Sequence, residues 1–125
     1  LPYDYLLENT DPALVKMELD ICWTVAAEQD PVAYFNRYPG RFPLVHVKDW
    51  LKDGKEASAY AGALGQGTKF TGQMTSVGAG SVDWKRILGQ AEKAGIKHYI
   101  VEYDNPKSPL DDLTASYTYL RNLSF

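Results

Sequence analysis

The sequence predicts a parallel α/β fold, in which short apolar strands alternate with amphipathic helices. Three apolar runs are each followed by a segment with helical punctuation or helical spacing, and each run carries ionisable residues towards its end. The 125 residues are the size of one domain, and 45% hydrophobic content is sufficient for a packed core. We therefore expect a single unit over residues 1–125.

Proline, glycine and aspartate mark where the predicted elements begin and end. Asp30 can cap a helix that has Pro31 in its first turn and stops at Gly40, while Asp83 and Gly95 bracket a later helix. In chain order we predict a helix over 3–9, a strand over 15–21, a helix over 30–38, a strand over 43–49, a helix over 84–94, a strand over 98–103 and a helix over 110–123.

Residues 52–80 are rich in glycine and show no regular period. A stretch of this length is too long for an ordinary connection, which indicates either a functional loop or a flexible insert. We expect an insert around 53–77 that forms a mobile loop over 54–76, on the side of the sheet where the preceding strand ends.

Each predicted strand carries two ionisable residues in its second half, although a parallel strand covered by helices is normally almost entirely hydrophobic. The i, i+2 spacing directs both members of a pair to the same side of the sheet. The carboxyl ends of such strands are where active sites are assembled. The pairs are Glu18 and Asp20, His46 and Lys48, and Glu102 and Asp104.

Carboxylate and imidazole groups from three neighbouring strands can surround one divalent cation, and oxygen and nitrogen ligands suit Mn²⁺, Mg²⁺, Co²⁺ or Zn²⁺. The candidate ligands are Asp20, His46 and Glu102. Each has an alternative role. Asp20 could cap a turn, His46 could be a neutral buried imidazole, and Glu102 could form an ion pair with Lys48. Lys48 could instead bind a substrate oxygen or phosphate.

Two tryptophans lie just beyond predicted strand ends. Trp23 and Trp50 could form the wall of a sugar pocket, or they could be ordinary core or lid residues. Glu18 and Asp104 fit a supporting role better than direct ligation.

The composition disfavours several classes of protein. A net charge of −3 argues against a nucleic-acid-binding surface, and no run approaches the roughly 20 apolar residues of a membrane span. Cys22 is the only cysteine, so no internal disulfide can form, which fits a reducing compartment. Location in the cytoplasm or the periplasm is left open.

The runs VKMELDICW, LVHVKDW and HYIVEYDN resemble the closing half of sugar phosphate isomerase/epimerase proteins, which belong to the xylose-isomerase-like barrel superfamily. The resemblance covers nearly the whole chain except the stretch around 53–76. It implies the C-terminal half of a (β/α)₈ TIM barrel, with about three parallel strands and flanking helices.

The resemblance also implies one divalent metal, most often manganese, held by Asp20, His46 and Glu102, with Glu102 as an acid/base group. The family's first glutamate ligand has no counterpart in the chain. Trp23 stands where epimerases place a substrate-binding histidine, and this argues against ketose 3-epimerisation. Trp23, Lys48 and Trp50 are the candidate substrate-binding residues.

The implied reaction is isomerisation or epimerisation of a carbohydrate, by proton transfer through an enediolate. Alternatives are a metal-dependent lyase or dehydratase, cleavage of keto-glycosides, or a non-catalytic half-barrel that binds a partner. The DNA-repair endonucleases of the superfamily fit poorly, because the chain has two histidines and a negative net charge. A whole barrel takes about 250 residues, so we expect this chain to need an amino-terminal half or another chain, and to be inactive alone.

Overall fold

The computed structural model describes residues 2–52 and 72–124. Their helices and strands alternate broadly as the sequence predicts. In chain order they are α1 (Pro2–Glu8), β1 (Glu18–Asp20), α2 (Ile21–Ala26), α3 (Pro31–Arg37), β2 (Leu44–Val47), β3 (Asp49–Lys52), β4 (Gly72–Thr75), α4 (Trp84–Leu88), α5 (Ala91–Ala94), β5 (His98–Val101) and α6 (Pro109–Asn122).

The main sheet has three parallel strands in the order β1-β2-β5. Its register places Asp20 beside His46 and His46 beside Ile100, so the carboxyl ends of the strands lie level with one another. This confirms the predicted parallel α/β architecture with flanking helices. Within the described chain, β1 and β5 are the two edges of the sheet.

Alternation along the strands separates a core face from a polar face. Val45 and Val47 of β2 are fully buried, and Leu19 of β1 is only 4% exposed. They pack into a cluster that includes Phe35 and Trp84 from α3 and α4. Because side chains alternate along a strand, the residues between them project to the opposite face, where the ionisable pairs lie.

Two predicted helix starts are confirmed by their caps. Asp30 Oδ1 accepts a hydrogen bond from the amide of Val32 at 3.0 Å, and Asp83 Oδ1 accepts one from the amide of Arg86 at 3.1 Å. Such caps satisfy backbone donors that the first helical turn leaves without partners.

The structure corrects three of the predicted elements. The strand expected over 43–49 ends at Val47, and a separate strand, β3, begins at Asp49. The stretch expected to be irregular contains β4, which pairs antiparallel with β3. The helix expected over 84–94 is interrupted at Gly89 and Gln90, because glycine is a weak helix former. The predicted mobile loop falls mainly on 53–71, outside the described residues.

Large apolar side chains are exposed on β5, an edge strand of the sheet, and on α6. Tyr99 is 46% and Ile100 41% exposed, and α6 adds Leu110, Leu113 and Tyr117, which are 80%, 48% and 62% exposed. A set of this kind is typical of a surface covered by further structure. Within the two described ranges, 2–52 and 72–124, no helix has both the length and the apolar character needed to cross a membrane.

Replacing Gly95 by alanine is expected to lower the free energy of unfolding by about 1–2 kcal/mol. Gly95 has a φ of +79°, and an added Cβ would lie 2.9 Å from Gly40 Cα, so both backbone conformation and space oppose the methyl group. Urea denaturation of Gly95→Ala measures the change. Gly89→Ala is the matched control, since Gly89 has a φ of −60° that alanine adopts freely. Equal stabilities of the two variants would contradict this expectation.

Candidate metal centre

The three candidate ligands meet at the carboxyl ends of the parallel strands. Asp20 ends β1, His46 lies in β2, and Glu102 follows β5 by one residue. His46 Nδ1 is 3.3 Å from Asp20 Oδ2 and 3.0 Å from Glu102 Oε2. One ligand atom from each residue lies within 4.8 Å of the other two. The structure therefore brings together the residues that the sequence selected, while their role as ligands stays a prediction.

The spacing of these atoms suits a divalent ion. Bonds of about 2.0–2.2 Å from a metal to its ligands place neighbouring donor atoms roughly 3.0–3.5 Å apart. The distances from His46 Nδ1 to the two carboxylate oxygens lie in this range. Glu102 Oε2 is buried, and it accepts no hydrogen bond of good geometry from the described residues, despite two ionic neighbours at 3.0 Å. The Lys48 ammonium offsets the charge of this oxygen in the structure, and a divalent ion beside it would do the same.

Glu18 orients the imidazole. Its Oε1 lies 2.6 Å from His46 Nε2, on the side of the ring opposite Asp20 and Glu102. A carboxylate that accepts a hydrogen bond from Nε2–H keeps the proton on that nitrogen and leaves the Nδ1 lone pair for a metal, an arrangement common to metal-binding histidines. The i, i+2 pairing of Glu18 with Asp20 is the sequence signal for this supporting role.

The two oxygens of Asp20 have different surroundings: one makes the predicted cap, and the other faces the group of candidate ligands. Oδ1 accepts a hydrogen bond from the amide of Trp23 at 2.9 Å and so caps α2, a helix that the sequence did not predict. Oδ2 faces His46. The cap fixes the rotation of the carboxylate, and this holds the second oxygen towards the centre.

Lys48 lies inside the same cluster, with a side chain only 4% exposed. Its Nζ is 3.0 Å from Asp104 Oδ2, 3.0 Å from Glu102 Oε2 and 3.4 Å from Asp20 Oδ2. Burial alone would lower the pKa of Lys48, but the hydrogen bond to Asp104 and the carboxylates of Glu102 and Asp20 raise it above its ordinary value. The predicted alternative of an ion pair with Glu102 is thus present in the structure.

The two tryptophans differ in their surroundings. Trp23 is partly buried and lines a pocket of about 300 Å³ together with Glu18 and Asp20, and its ring lies 5.8 Å from Lys48 Nζ. Trp50 is only 7% exposed and packs with Cys22 and Met74. Trp23 therefore remains a candidate for the wall of a substrate pocket, whereas Trp50 fits the role of an ordinary core residue better. Burial raises the pKa of the Cys22 thiol, which keeps it protonated.

Asp49 is a fully buried carboxylate to which sequence reasoning gave no role. Asp49 begins β3, and its hydrogen bonds tie the chain around 78–84 to this strand; among the described residues its donors are neutral N–H groups. The donors are the amides of Trp50 at 2.7 Å, Gly78 at 2.8 Å, Gly80 at 3.3 Å and Val82 at 3.3 Å, and the indole Nε1 of Trp84 at 2.8 Å. A Cβ at Gly80 would lie 2.1 Å from Asp49 Oδ1, so glycine is needed for this close approach.

The sheet has parallel strands with helices on one face, and carboxylates and an imidazole are grouped on the other face at the carboxyl ends of the strands. This arrangement is that of a segment of a (β/α)₈ barrel. Comparison with solved structures agrees. A sugar phosphate isomerase/epimerase from Parabacteroides distasonis superposes with a TM-score of 0.70 at 30% identity. The matched region is 95% of this chain and 35% of the Parabacteroides chain. A xylose isomerase domain protein from Planctomyces limnophilus, at 17% identity and a TM-score of 0.63, shows the fold alone.

Curated relatives are named inosose dehydratase. The protein from Lactiplantibacillus plantarum is 30% identical over 122 residues, which is 94% of this chain and 41% of the relative. The protein from Salmonella typhimurium is 26% identical over 128 residues, which is 91% of this chain and 42% of the relative. No family model matches the sequence. Over nearly its whole length the chain is similar in sequence and fold to sugar phosphate isomerase/epimerases. It spans about two fifths of the curated relatives' length.

Proposed function

We propose that the chain supplies the metal-holding end of an enzyme that moves a proton on a carbon next to the carbonyl of a sugar or an inosose. The observation that carries this proposal is the convergence of Asp20, His46 and Glu102, with Glu18 placed behind the imidazole. Such a constellation at strand ends is expensive to maintain in a protein that makes no use of it.

The three grouped residues would hold one divalent ion, with Mn²⁺ as the first choice and Mg²⁺, Co²⁺ or Zn²⁺ as alternatives. When bound, the ion would polarise the carbonyl and a neighbouring hydroxyl of the substrate, and so acidify the adjacent C–H bond. Glu18 holds the imidazole, and the helix cap holds the carboxylate of Asp20. The site is therefore fixed by contacts that do not depend on substrate.

Glu102 is the group assigned to proton transfer. Its side chain is 37% exposed, so part of the carboxylate faces open space while Oε2 is buried. The exposed part can take a proton from the carbon beside the carbonyl and return it to the enolised substrate. Return to the neighbouring carbon gives isomerisation, and return to the opposite face by a second acid gives epimerisation.

Dehydration is the second candidate, and the inosose dehydratases among the relatives favour it. The first step is the same proton abstraction, after which hydroxide leaves the β-carbon, takes up a proton and departs as water. Trp23 supports this candidate over ketose 3-epimerisation, because an indole cannot accept a proton where epimerases of this kind place a histidine.

Activity is proposed to require further barrel strands. The chain covers 35–42% of the relatives and solved structures described above, and its β5 edge exposes Tyr99 and Ile100. An amino-terminal half, on the same chain or another, would pair with the sheet edges and add the missing side of the substrate pocket. The substrate is a small carbohydrate.

Mn²⁺ titration by calorimetry tests the metal centre on the chain itself. His46→Gln is expected to weaken Mn²⁺ binding at least tenfold, because it removes a ligand, and Glu18→Gln about tenfold, because it loosens the imidazole. Asp111→Asn, an exposed change on α6, is the control and should bind as the unaltered chain does. Unchanged affinity in His46→Gln would overturn the proposed centre.

A further inference from the structure

The two carboxylate oxygens of the metal centre are shared with Lys48. Asp20 Oδ2 lies 3.3 Å from His46 Nδ1 and 3.4 Å from Lys48 Nζ. Glu102 Oε2 lies 3.0 Å from each of the same two nitrogens. The Lys48 ammonium and a divalent ion would therefore bind the same two oxygen atoms.

Lys48 also has an anchor that the metal centre does not use. Its Nζ donates a hydrogen bond to Asp104 Oδ2 at 3.0 Å, and Asp104 is not one of the grouped ligands. The ring of Trp23 lies 5.8 Å from the ammonium. With its side chain 4% exposed, Lys48 has little access to water and keeps its charge through protein contacts.

We propose that Lys48 is a built-in counter-ion, which neutralises Asp20 and Glu102 when no metal is bound and withdraws onto Asp104 when a divalent ion arrives. This inference rests on the proposed metal centre. It gives Lys48 two effects: it stabilises the metal-free centre, and it weakens metal binding by competing for both carboxylates. In the metal-bound state its ammonium stays beside the centre, where it can contact a substrate oxygen.

The charges of the cluster set the direction of these effects. Glu18, Asp20, Glu102 and Asp104 contribute four negative charges, against which Lys48 contributes one positive charge. Removal of the ammonium leaves the ligand oxygens free and the centre more negative, and both changes favour a divalent ion. Removal of Asp104 has the opposite effect, because Lys48 is then held by Asp20 and Glu102 alone.

Mn²⁺ titration by calorimetry on the full chain tests this competition. Lys48→Met is expected to bind Mn²⁺ at least about tenfold more tightly than the unaltered chain, and Asp104→Asn about threefold or more weakly. Lys16→Met, which removes an exposed lysine that contacts Gly40, is the matched control and should leave the affinity unchanged. A purely structural role would shift Lys48→Met and Asp104→Asn in the same direction, and that result overturns the proposal.

The double variant Lys48→Met/Asp104→Asn removes the ion pair at constant net charge. Tighter Mn²⁺ binding by this variant supports direct competition, and affinity equal to or below that of the unaltered chain counts against it. The double variant also serves if Lys48→Met alone does not fold. If the unaltered chain binds Mn²⁺, and neither Lys48→Met nor the double variant binds it more tightly, the inference is overturned and the proposed function still stands. Absence of Mn²⁺ binding from all variants overturns the proposed centre as well.

Discussion

Glu102→Gln is expected to reduce turnover at least a hundredfold in a barrel that contains this chain and an amino-terminal half. General acid–base catalysis by one positioned group contributes about 10²–10⁴-fold, and the amide of glutamine cannot accept the proton. The fold should survive, since the Glu102 side chain is 37% exposed and lies at the end of a strand. Exchange of substrate hydrogen for deuterium in heavy water, followed by NMR, measures the proton transfer directly.

Two measurements make this result specific. Mn²⁺ affinity of the same variant separates the loss of a ligand from the loss of an acid/base group, because saturating Mn²⁺ restores the first and not the second. Glu92→Gln, an exposed change on α5, is the matched control and should retain full turnover. Exchange at an undiminished rate in Glu102→Gln would remove this residue from the chemistry.

Asp49→Asn is expected to lower the free energy of unfolding by about 3 kcal/mol. The carboxylate is fully buried and accepts N–H donors on both oxygens, among them Gly78 and Trp84 on Oδ2 and Trp50 on Oδ1. An asparagine would direct its own NH₂ group at such donors, which leaves buried N–H groups without acceptors. Urea denaturation followed by tryptophan fluorescence reports the change.

Asp111→Asn provides the comparison for Asp49→Asn, because the same atoms change at an exposed position, and it should stay within about 0.5 kcal/mol of the unaltered chain. Gly80→Ala provides a second test, since its Cβ would displace Asp49 Oδ1. A loss below about 1 kcal/mol in Asp49→Asn would show that the N–H groups find other partners.

The sequence predicted β1 and β2 because apolar and polar residues alternate along them, and it predicted β5, whose residues are largely exposed, because a short apolar run precedes ionisable residues there. Leu19, Val45 and Val47 face the core, while the polar residues between them face the site. The same alternation selected Asp20, His46 and Glu102, and the structure brings them together. The short helix α2 was missed although the sequence offered Asp20 as the cap of a turn, because no helix was predicted to follow that cap.

Long-range pairing explains what the sequence left undetermined. Within residues 2–52 and 72–124, Asp49 has no cationic partner. Apart from the adjacent amide of Trp50, its donors are backbone amides and an indole that lie 29 or more residues away along the chain, and no local sequence pattern marks such pairs. The anchoring of Lys48 by Asp104 joins residues 56 positions apart. The strand β4 contains glycine and shows no apolar alternation, so only its pairing with β3 defines it.

The β3–β4 pair has a consequence for how such a protein can diversify. Lys52 is registered against Gly72, so the chain leaves the described region and re-enters it at neighbouring points. The ladder between β3 and β4, and the hydrogen bond from the amide of Ser81 to the carbonyl of Trp50 at 2.8 Å, hold these two points together. Because the entropy cost of a closed loop grows only slowly with its length, sequences grafted between Lys52 and Gly72 can be lengthened, shortened or exchanged at small cost in stability. Evolution, or a designer, can therefore vary this segment while the ligand geometry of Asp20, His46 and Glu102 is inherited unchanged.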